Sequence, residues 1–150
     1  MFEFQTVHDV MSFAVSLEHI SQEFYLQLAE RVTNPGVHAF LLEMAQQEAI
    51  HEEQLRSLLE NHAQDLSGAI DFKEVQSYVQ AMEIPDELDY KKAVKVAYDK
   101  EKASQMLYSI LSNVVQPDYL RQLLMTLSRQ EEKHKDFFAK EYDRIRLGEN

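Results

Sequence analysis

The sequence predicts an all-α four-helix bundle, built as two antiparallel helical hairpins joined by a long crossover. Three observations carry that prediction. The first is composition: glycine and proline each occur only three times in 150 residues. Sandwiches and doubly wound sheets need many backbone positions with φ > 0, so this scarcity points to long helices and few tight turns. The second is periodicity, because four long segments repeat their apolar residues three and four apart, as a helix with one buried face does. The third is the spacing of the breaks. Those inside each pair of segments are a few residues long, which makes antiparallel hairpins, whereas residues 62–85 separate the pairs and are enough to run the length of a bundle.

The first helix is expected over about residues 6–32, with Val10, Phe13, Ala14, Leu17, Phe24, Leu28 and Val32 on one stripe. Asn34-Pro35-Gly36 interrupts it, and Pro35 is well placed to open the next helix because its missing N–H is not needed there. The second helix, about 37–61, carries Phe40, Leu41, Met44, Leu55, Leu58 and Leu59. The crossover contains Gly68 and has room for a short helix through Phe72, Val75 and Val79. Pro85, followed by Asp86, Glu87 and Asp89, then reads as a helix start, since carboxylates favour the positive end of the helix dipole. The third helix is expected over about 86–115. Gln116-Pro117-Asp118 ends it and starts the fourth, about 118–146, with Leu120, Leu123, Leu124, Leu127, Phe137 and Phe138 inward.

Charge and composition exclude several classes of function. The chain has 15 basic and 26 acidic residues, a net charge of −11, with no basic stripe. Binding to nucleic-acid phosphates or to an anionic membrane surface is therefore not expected. The absence of cysteine removes disulfides, thiolate catalysis, zinc ribbons and cysteine-ligated iron–sulfur centres. The first residues lack the basic and apolar regions of a signal peptide, and no apolar run approaches membrane-spanning length, so a cytoplasmic protein is expected.

The chemistry is carried by an internal repeat. A shift of 83 residues takes Glu18 to Glu101, Tyr25 to Tyr108, Glu48 to Glu131 and His51 to His134. It also pairs Ala14 with Ala97, Ser21 with Ser104, Gln22 with Gln105, Leu28 with Leu111 and Gln47 with Gln130. Aligning 13–58 with 96–141 gives 11 identities in 46 positions, and the identical positions are the informative ones. Each half holds one lone Glu in its first helix and a Glu-x-x-His in its second. With 17 Glu and six His, about 0.7 such matches arise by chance, so one alone would mean little. Two, with matching lone Glu and Tyr at a common offset, are much harder to produce by accident.

Residues three apart share a helix face, so Glu48 with His51, and Glu131 with His134, can each grip one ion. Packed around a pseudo-twofold axis, the two hairpins bring four carboxylates and two imidazoles together. Without counterions such a cluster is prohibitive, because each buried ion costs several kcal/mol even after relaxation. Two divalent cations make it formally neutral. The alternative is a metal-free bundle whose repeated Glu and His face solvent; Glu18 and Glu101 would then interrupt apolar stripes in both halves for no benefit. Oxygen-rich coordination with one imidazole per ion and no sulfur suits iron or manganese better than structural zinc. Ala14, Ala97, Ser21 and Ser104 are small side chains on the ligand face, where two ions and their bridging oxygens need room.

The stretches Ala14 to Glu18, Phe24-Tyr25, Glu48 to His51, Glu101 to Tyr108, and Glu131 to His134 resemble the rubrerythrin family of ferritin-like di-iron proteins. The resemblance covers nearly the whole chain and implies a ferritin-like four-helix bundle as a single domain over 1–150. It implies Glu18 and Glu101 as terminal ligands, Glu48 and Glu131 as bridging ligands, and His51 and His134 as one imidazole per iron. Tyr25 and Tyr108 match the family's site-flanking tyrosines, and equally fit ordinary core aromatics with a hydroxyl hydrogen bond. The implied activity is an oxidoreductase of the oxidative-stress response. It reduces hydrogen peroxide or dioxygen at two irons, with electrons from an external donor protein and in a homodimer or higher homo-oligomer.

Two departures stand out. There is no cysteine-ligated rubredoxin domain, and Ser104 occupies the position, three residues after the lone Glu of the third helix, where the family usually places another Glu. The site is then more symmetric, like that of bacterioferritin, and the alternative function is ferrous oxidation with iron storage or transfer. A regulatory module keeping the ligands as a structural metal clip is a third possibility. Among the remaining residues, His19 points about 100° away from Glu18 and is expected in solvent. His8, His38 and His62 lie near helix ends and are expected at the surface, and Glu52, Glu53, Lys135 and Asp136 belong to a solvated face. Met44, Met106 and Met125 read as core filler rather than haem ligands.

Overall fold

The computed structural model of the chain describes residues 4–66, 68–80, 89–116 and 118–148, without the side chains of 78–80. The expected helix start at Pro85-Asp86-Glu87, the stop at Pro117, the side chain of Val79 and residues 1–3 lie outside the described residues. Five α-helices are present among the described residues: α1 (Val7–Arg31), α2 (Pro35–Asn61), a short α3 (Phe72–Gln80), α4 (Tyr90–Ser112) and α5 (Asp118–Arg146).

Their ends follow from local chemistry. Thr6 caps α1: its hydroxyl accepts from the Asp9 N–H at 3.0 Å, while the Asp9 carboxylate accepts from the Thr6 N–H at 3.1 Å. The Asn34 side chain accepts from the N–H groups of Gly36 and Val37, with Pro35 as first residue of α2. Asp89 caps α4 by accepting from the Lys92 N–H at 2.8 Å. The helix stops at Ser112, three residues short of the expected end. There Asn113 and Val114 turn back onto carbonyls of the last helical turn, and Val115 drops into the core. Among the described residues no helix is long and apolar enough to cross a membrane.

Helix α1 packs along α2 and α4 along α5, forming two antiparallel hairpins, with sparser contacts of α1 on α4 and α2 on α5. Residues 62–80 cross between them, with a 3₁₀ turn at Ala63–Asp65 and α3 resting on α4. Leu66 and Val75 enter the core from this segment. The Gln116 N–H reaches the Asp65 carbonyl at 3.3 Å, tying the crossover to the α4–α5 loop. Gly68 is required there: its φ is +152°, and a Cβ would sit 2.8 Å from the Val114 Cβ.

The core is in two parts. One joins the first half of α1, the second half of α2, the second half of α4 and the first half of α5, around Val10, Met11, Leu55, Leu58, Leu111 and Leu124. The other joins the opposite halves, around Leu28, Leu41, Met44, Val94, Ala97 and Phe138. Each fully buried Leu or Phe contributes roughly 1.5–3 kcal/mol relative to leaving it exposed. The 83-residue shift exchanges the two cores, taking Leu28 to Leu111 and Leu41 to Leu124. Midway, where the repeat maps onto itself, lies a polar layer.

Candidate metal centre

Each of the four long helices delivers its share of that layer from mid-length, where neither frayed ends nor loops disturb the backbone. Glu18 comes from α1, Glu48 and His51 from α2, Glu101 from α4, and Glu131 and His134 from α5. None of the six is more than 3% exposed. They form two interlocking groups. Glu18, Glu48, His51 and Glu131 offer ligand atoms all within 4.8 Å of one another, as do Glu48, Glu101, Glu131 and His134. Glu48 and Glu131 belong to both groups; each of the others belongs to one.

The histidines face the carboxylates through Nδ1. His51 Nδ1 lies 3.1 Å from Glu131 and 3.6 Å from Glu18, and His134 Nδ1 lies 3.0 Å from Glu48 and 3.5 Å from Glu101. The outer nitrogens meet amides: His134 Nε2 is 2.7 Å from Gln47 Oε1, and His51 Nε2 meets Gln130 Oε1. Tyr25 donates to Glu101 and Tyr108 donates to Glu18, each phenol reaching from one hairpin to the other. Ala14, Ala97, Ser21 and Ser104 are buried beside the layer.

The electrostatics of the layer are those of an uncompensated anion cluster. Burial, then the charges of the neighbouring carboxylates, pushes Glu48 and Glu131 well above the usual carboxylate range. Burial acts the same way on Glu101, but the close approach of the His134 ring outweighs it and holds that carboxyl below its ordinary value. Burial would lower His51, yet its contacts with Glu18 prevail and raise it. Tyr25 and Tyr108 are raised well above 10, first by burial and then by Glu101 and Glu18 respectively, so both phenols stay protonated.

The donor set fits a pair of divalent cations. Among the described residues, both oxygens of Glu48, one each of Glu18, Glu101 and Glu131, and Nδ1 of both histidines are buried without a hydrogen-bond partner. Seven such atoms in one place are hard to tolerate unless something else binds them. These seven atoms belong to six carboxylate or imidazole side chains, aimed at shared points and with no sulfur among them, the set that suits iron or manganese.

Several features were not legible beforehand. Glu52, expected on a solvated face, is only 14% exposed at its side chain, because it accepts from Gln22 at 2.7 Å and pairs with Arg56 and His19. Lys135 is likewise half-buried and donates to Gln105 at 2.9 Å, so the repeated glutamines hold an acid in one half and a base in the other. His38, expected at the surface, is half-buried with Nδ1 2.7 Å from the Ala29 carbonyl at the end of α1. Lys100, beside Glu101, belongs to no motif of the sequence. It is 2% exposed, and its ammonium lies 4.5 Å from the Phe24 ring centroid with no hydrogen-bond partner among the described residues. The repeat offered a signal: the matching residue in the first half is Leu17. Met44 is core filler, whereas Met106 and Met125 are half-buried.

Comparison with known proteins places this geometry. The family model described as rubrerythrin matches residues 9–142. The crystal structure of a Thermotoga maritima protein, described as ferritin-like and diiron-carboxylate, matches with a TM-score of 0.76 at 22% sequence identity. The match covers 97% of this chain and 99% of that one, so the four long helices here have the ferritin-like arrangement. None of the curated proteins matches this chain.

Proposed function

The chain belongs to the rubrerythrin family, and we propose that it is a di-iron oxidoreductase that reduces hydrogen peroxide or dioxygen with electrons from an external donor protein. The observation that carries this reading is the sharing of Glu48 and Glu131 between two otherwise separate ligand groups. In it, Glu48 and Glu131 would be shared by two iron ions, one held also by Glu18 and His51 and the other by Glu101 and His134. Four carboxylates neutralise two divalent ions, with manganese as the nearest alternative metal. When bound, the metal pair supplies two electrons together to an oxygen-containing oxidant.

The protein's own groups prepare that chemistry. The apolar cores on either side keep bulk water from reaching the layer along the length of the bundle. Tyr25 and Tyr108 hold protonated phenols against the terminal carboxylates and keep each carboxylate in one orientation. Among the described residues Glu48 has no hydrogen-bond partner on either oxygen, so both oxygens would be available to metal ions. Ser21 and Ser104, one turn beyond the lone glutamates, are small and buried.

The test starts from protein prepared without oxygen. Protein carrying two ferrous ions per chain is mixed with one equivalent of peroxide, or with dissolved dioxygen, and the ferric absorption is followed. Oxidation within seconds is expected; a ferrous sample unchanged by both oxidants overturns the reading. A second reading, ferrous oxidation for iron storage or transfer, is favoured by the buried Ser104, which matches Ser21 and keeps the two halves alike. Native mass separates the two: a homodimer supports the oxidoreductase, and a large hollow shell supports storage.

A further inference from the structure

The seam between α2 and α5 is the thinnest part of the bundle, with far fewer contacts than either hairpin makes internally. Two cavities open along it, one of about 160 Å³ reaching His51 and one of about 290 Å³ reaching His134. Gln47 and Gln130 line both. Each glutamine stands four residues before the histidine of its own helix, yet neither bonds to that histidine. Gln47 from α2 meets His134 on α5, and Gln130 from α5 meets His51 on α2. The pair is one of the identities of the 83-residue repeat, so the arrangement is two copies of one contact related by the pseudo-twofold.

An amide Oε1 only accepts, so the imidazole nitrogen facing it carries the proton. In the neutral ring the other nitrogen, Nδ1, then keeps its lone pair, and in both rings it is Nδ1 that faces the buried carboxylates. A neutral acceptor also leaves the ring a weaker electron donor to a cation than a carboxylate partner would. We infer that Gln47 and Gln130 are exchanged positioning residues, each fixing the tautomer and angle of the opposite hairpin's histidine so that its Nδ1 is presented to a metal ion. The inference deepens the proposed di-iron reading and rests on it for the identity of the ligand. The tautomer claim stands on the hydrogen bonds alone.

The experiment separates the two. Apo protein with ¹⁵N-labelled histidine is compared with Gln47→Leu and Gln130→Leu by long-range ¹H–¹⁵N correlation, which reports each ring's tautomer. Both changes lie at a half-buried seam, and leucine fills the volume that alanine would open to water from the cavities. Gln47→Glu and Gln130→Glu, which retain an acceptor oxygen, serve as rescue variants should a leucine variant fold poorly. Expected is loss of the fixed Nε2–H tautomer at His134 alone in Gln47→Leu and at His51 alone in Gln130→Leu, with the glutamate variants keeping it. Titration with Co²⁺ as probe should show affinity weakened by about ten- to hundredfold in each leucine variant. Unchanged tautomers, a change at the histidine of the same helix, or unchanged Co²⁺ affinity overturns the inference. If the tautomers shift as expected while the wild-type chain takes up no Co²⁺, the glutamine pairing stands and the di-iron reading falls.

Discussion

The phenol of Tyr25, on the first hairpin, donates its hydrogen bond to the carboxylate of Glu101 on the second. Tyr108 returns the bond to Glu18, and the glutamine–histidine contacts cross in the same sense. Tyr25, Tyr108, Gln47 and Gln130 thus each serve the other hairpin. A half-bundle taken alone would lose the partners of its tyrosine, histidine and terminal glutamate at once, so the layer exists only when both hairpins are docked.

Replacing either phenol tests that reciprocity. Tyr25→Phe leaves a buried Glu101 oxygen without its donor, and Tyr108→Phe does the same to Glu18. Leaving a buried polar group unsatisfied costs about 1–3 kcal/mol. Denaturant unfolding of the metal-loaded protein should show each variant destabilised by that amount, with nearly equal values for the two. A loss at one site and none at the other would show that the two bonds are not equivalent.

Stability should depend on pH in opposite ways with and without metal. Glu48 and Glu131 have folded pKa values raised above their ordinary 4.5, so the folded protein binds more protons than the unfolded chain once the pH exceeds about that value. Stability of the metal-free protein therefore falls as pH rises from 4.5 towards their folded values. The raised His51 acts in the same direction above its ordinary 6.5, while the lowered Glu101 opposes, gaining stability as pH rises through its folded value to 4.5. With two divalent ions bound, deprotonated ligands are favoured and the trend should reverse. Thermal unfolding at pH 5, 6, 7 and 8, with chelator and with Mn²⁺, checks this. A metal-free Tm that climbs across the range would contradict it.

Lys100 is a cation placed where the repeat has leucine. Burial, against the pull of Glu101 and the other carboxylates, lowers its pKa to about 8. Once metal ions neutralise those carboxylates, the buried ammonium has little left to compensate its desolvation. Replacing a buried charge by an apolar side chain of similar size is often neutral or stabilising by about 1–4 kcal/mol. Lys100→Leu should accordingly raise the Tm of the metal-loaded protein and give a smaller gain, or a loss, in the metal-free form, where the ammonium offsets the anion cluster. Calorimetry on both forms decides it.

The crossover depends on one backbone position. Gly68→Ala places a methyl group 2.8 Å from the Val114 Cβ at a φ that side chains rarely adopt. Strain of this kind costs about 1–3 kcal/mol. Hydrogen exchange should accelerate in residues 62–75 and in the α4–α5 loop with metal affinity unchanged, because the metal layer lies away from this end.

The six residues of the layer were readable along the chain because they carry two signals there. Their spacing places each on a helix stripe, and their recurrence after 83 residues marks them as a set. The helix starts at Thr6 and Pro35 were readable for the same kind of reason, since a cap acts on the next few residues only. Gln47 and Gln130 were visible as identities but had no meaning, as a glutamine four residues before a histidine does not say whose histidine it serves. Nor could the spacing around Glu52 show that Gln22 and His19, some thirty residues away, would draw it out of solvent.

Periodicity and repetition specify which face of each helix is apolar and which side chains must escape water together, because both are correlations between residues close in sequence or related by the repeat. Who bonds to whom across the bundle is a different question. It depends on the rotation and axial offset of one hairpin against the other, which close packing of Leu28, Leu41, Leu111, Leu124 and their neighbours settles. The exchange of Tyr25, Tyr108, Gln47 and Gln130 between hairpins, and the burial of Lys100 against Phe24, exist only after that docking.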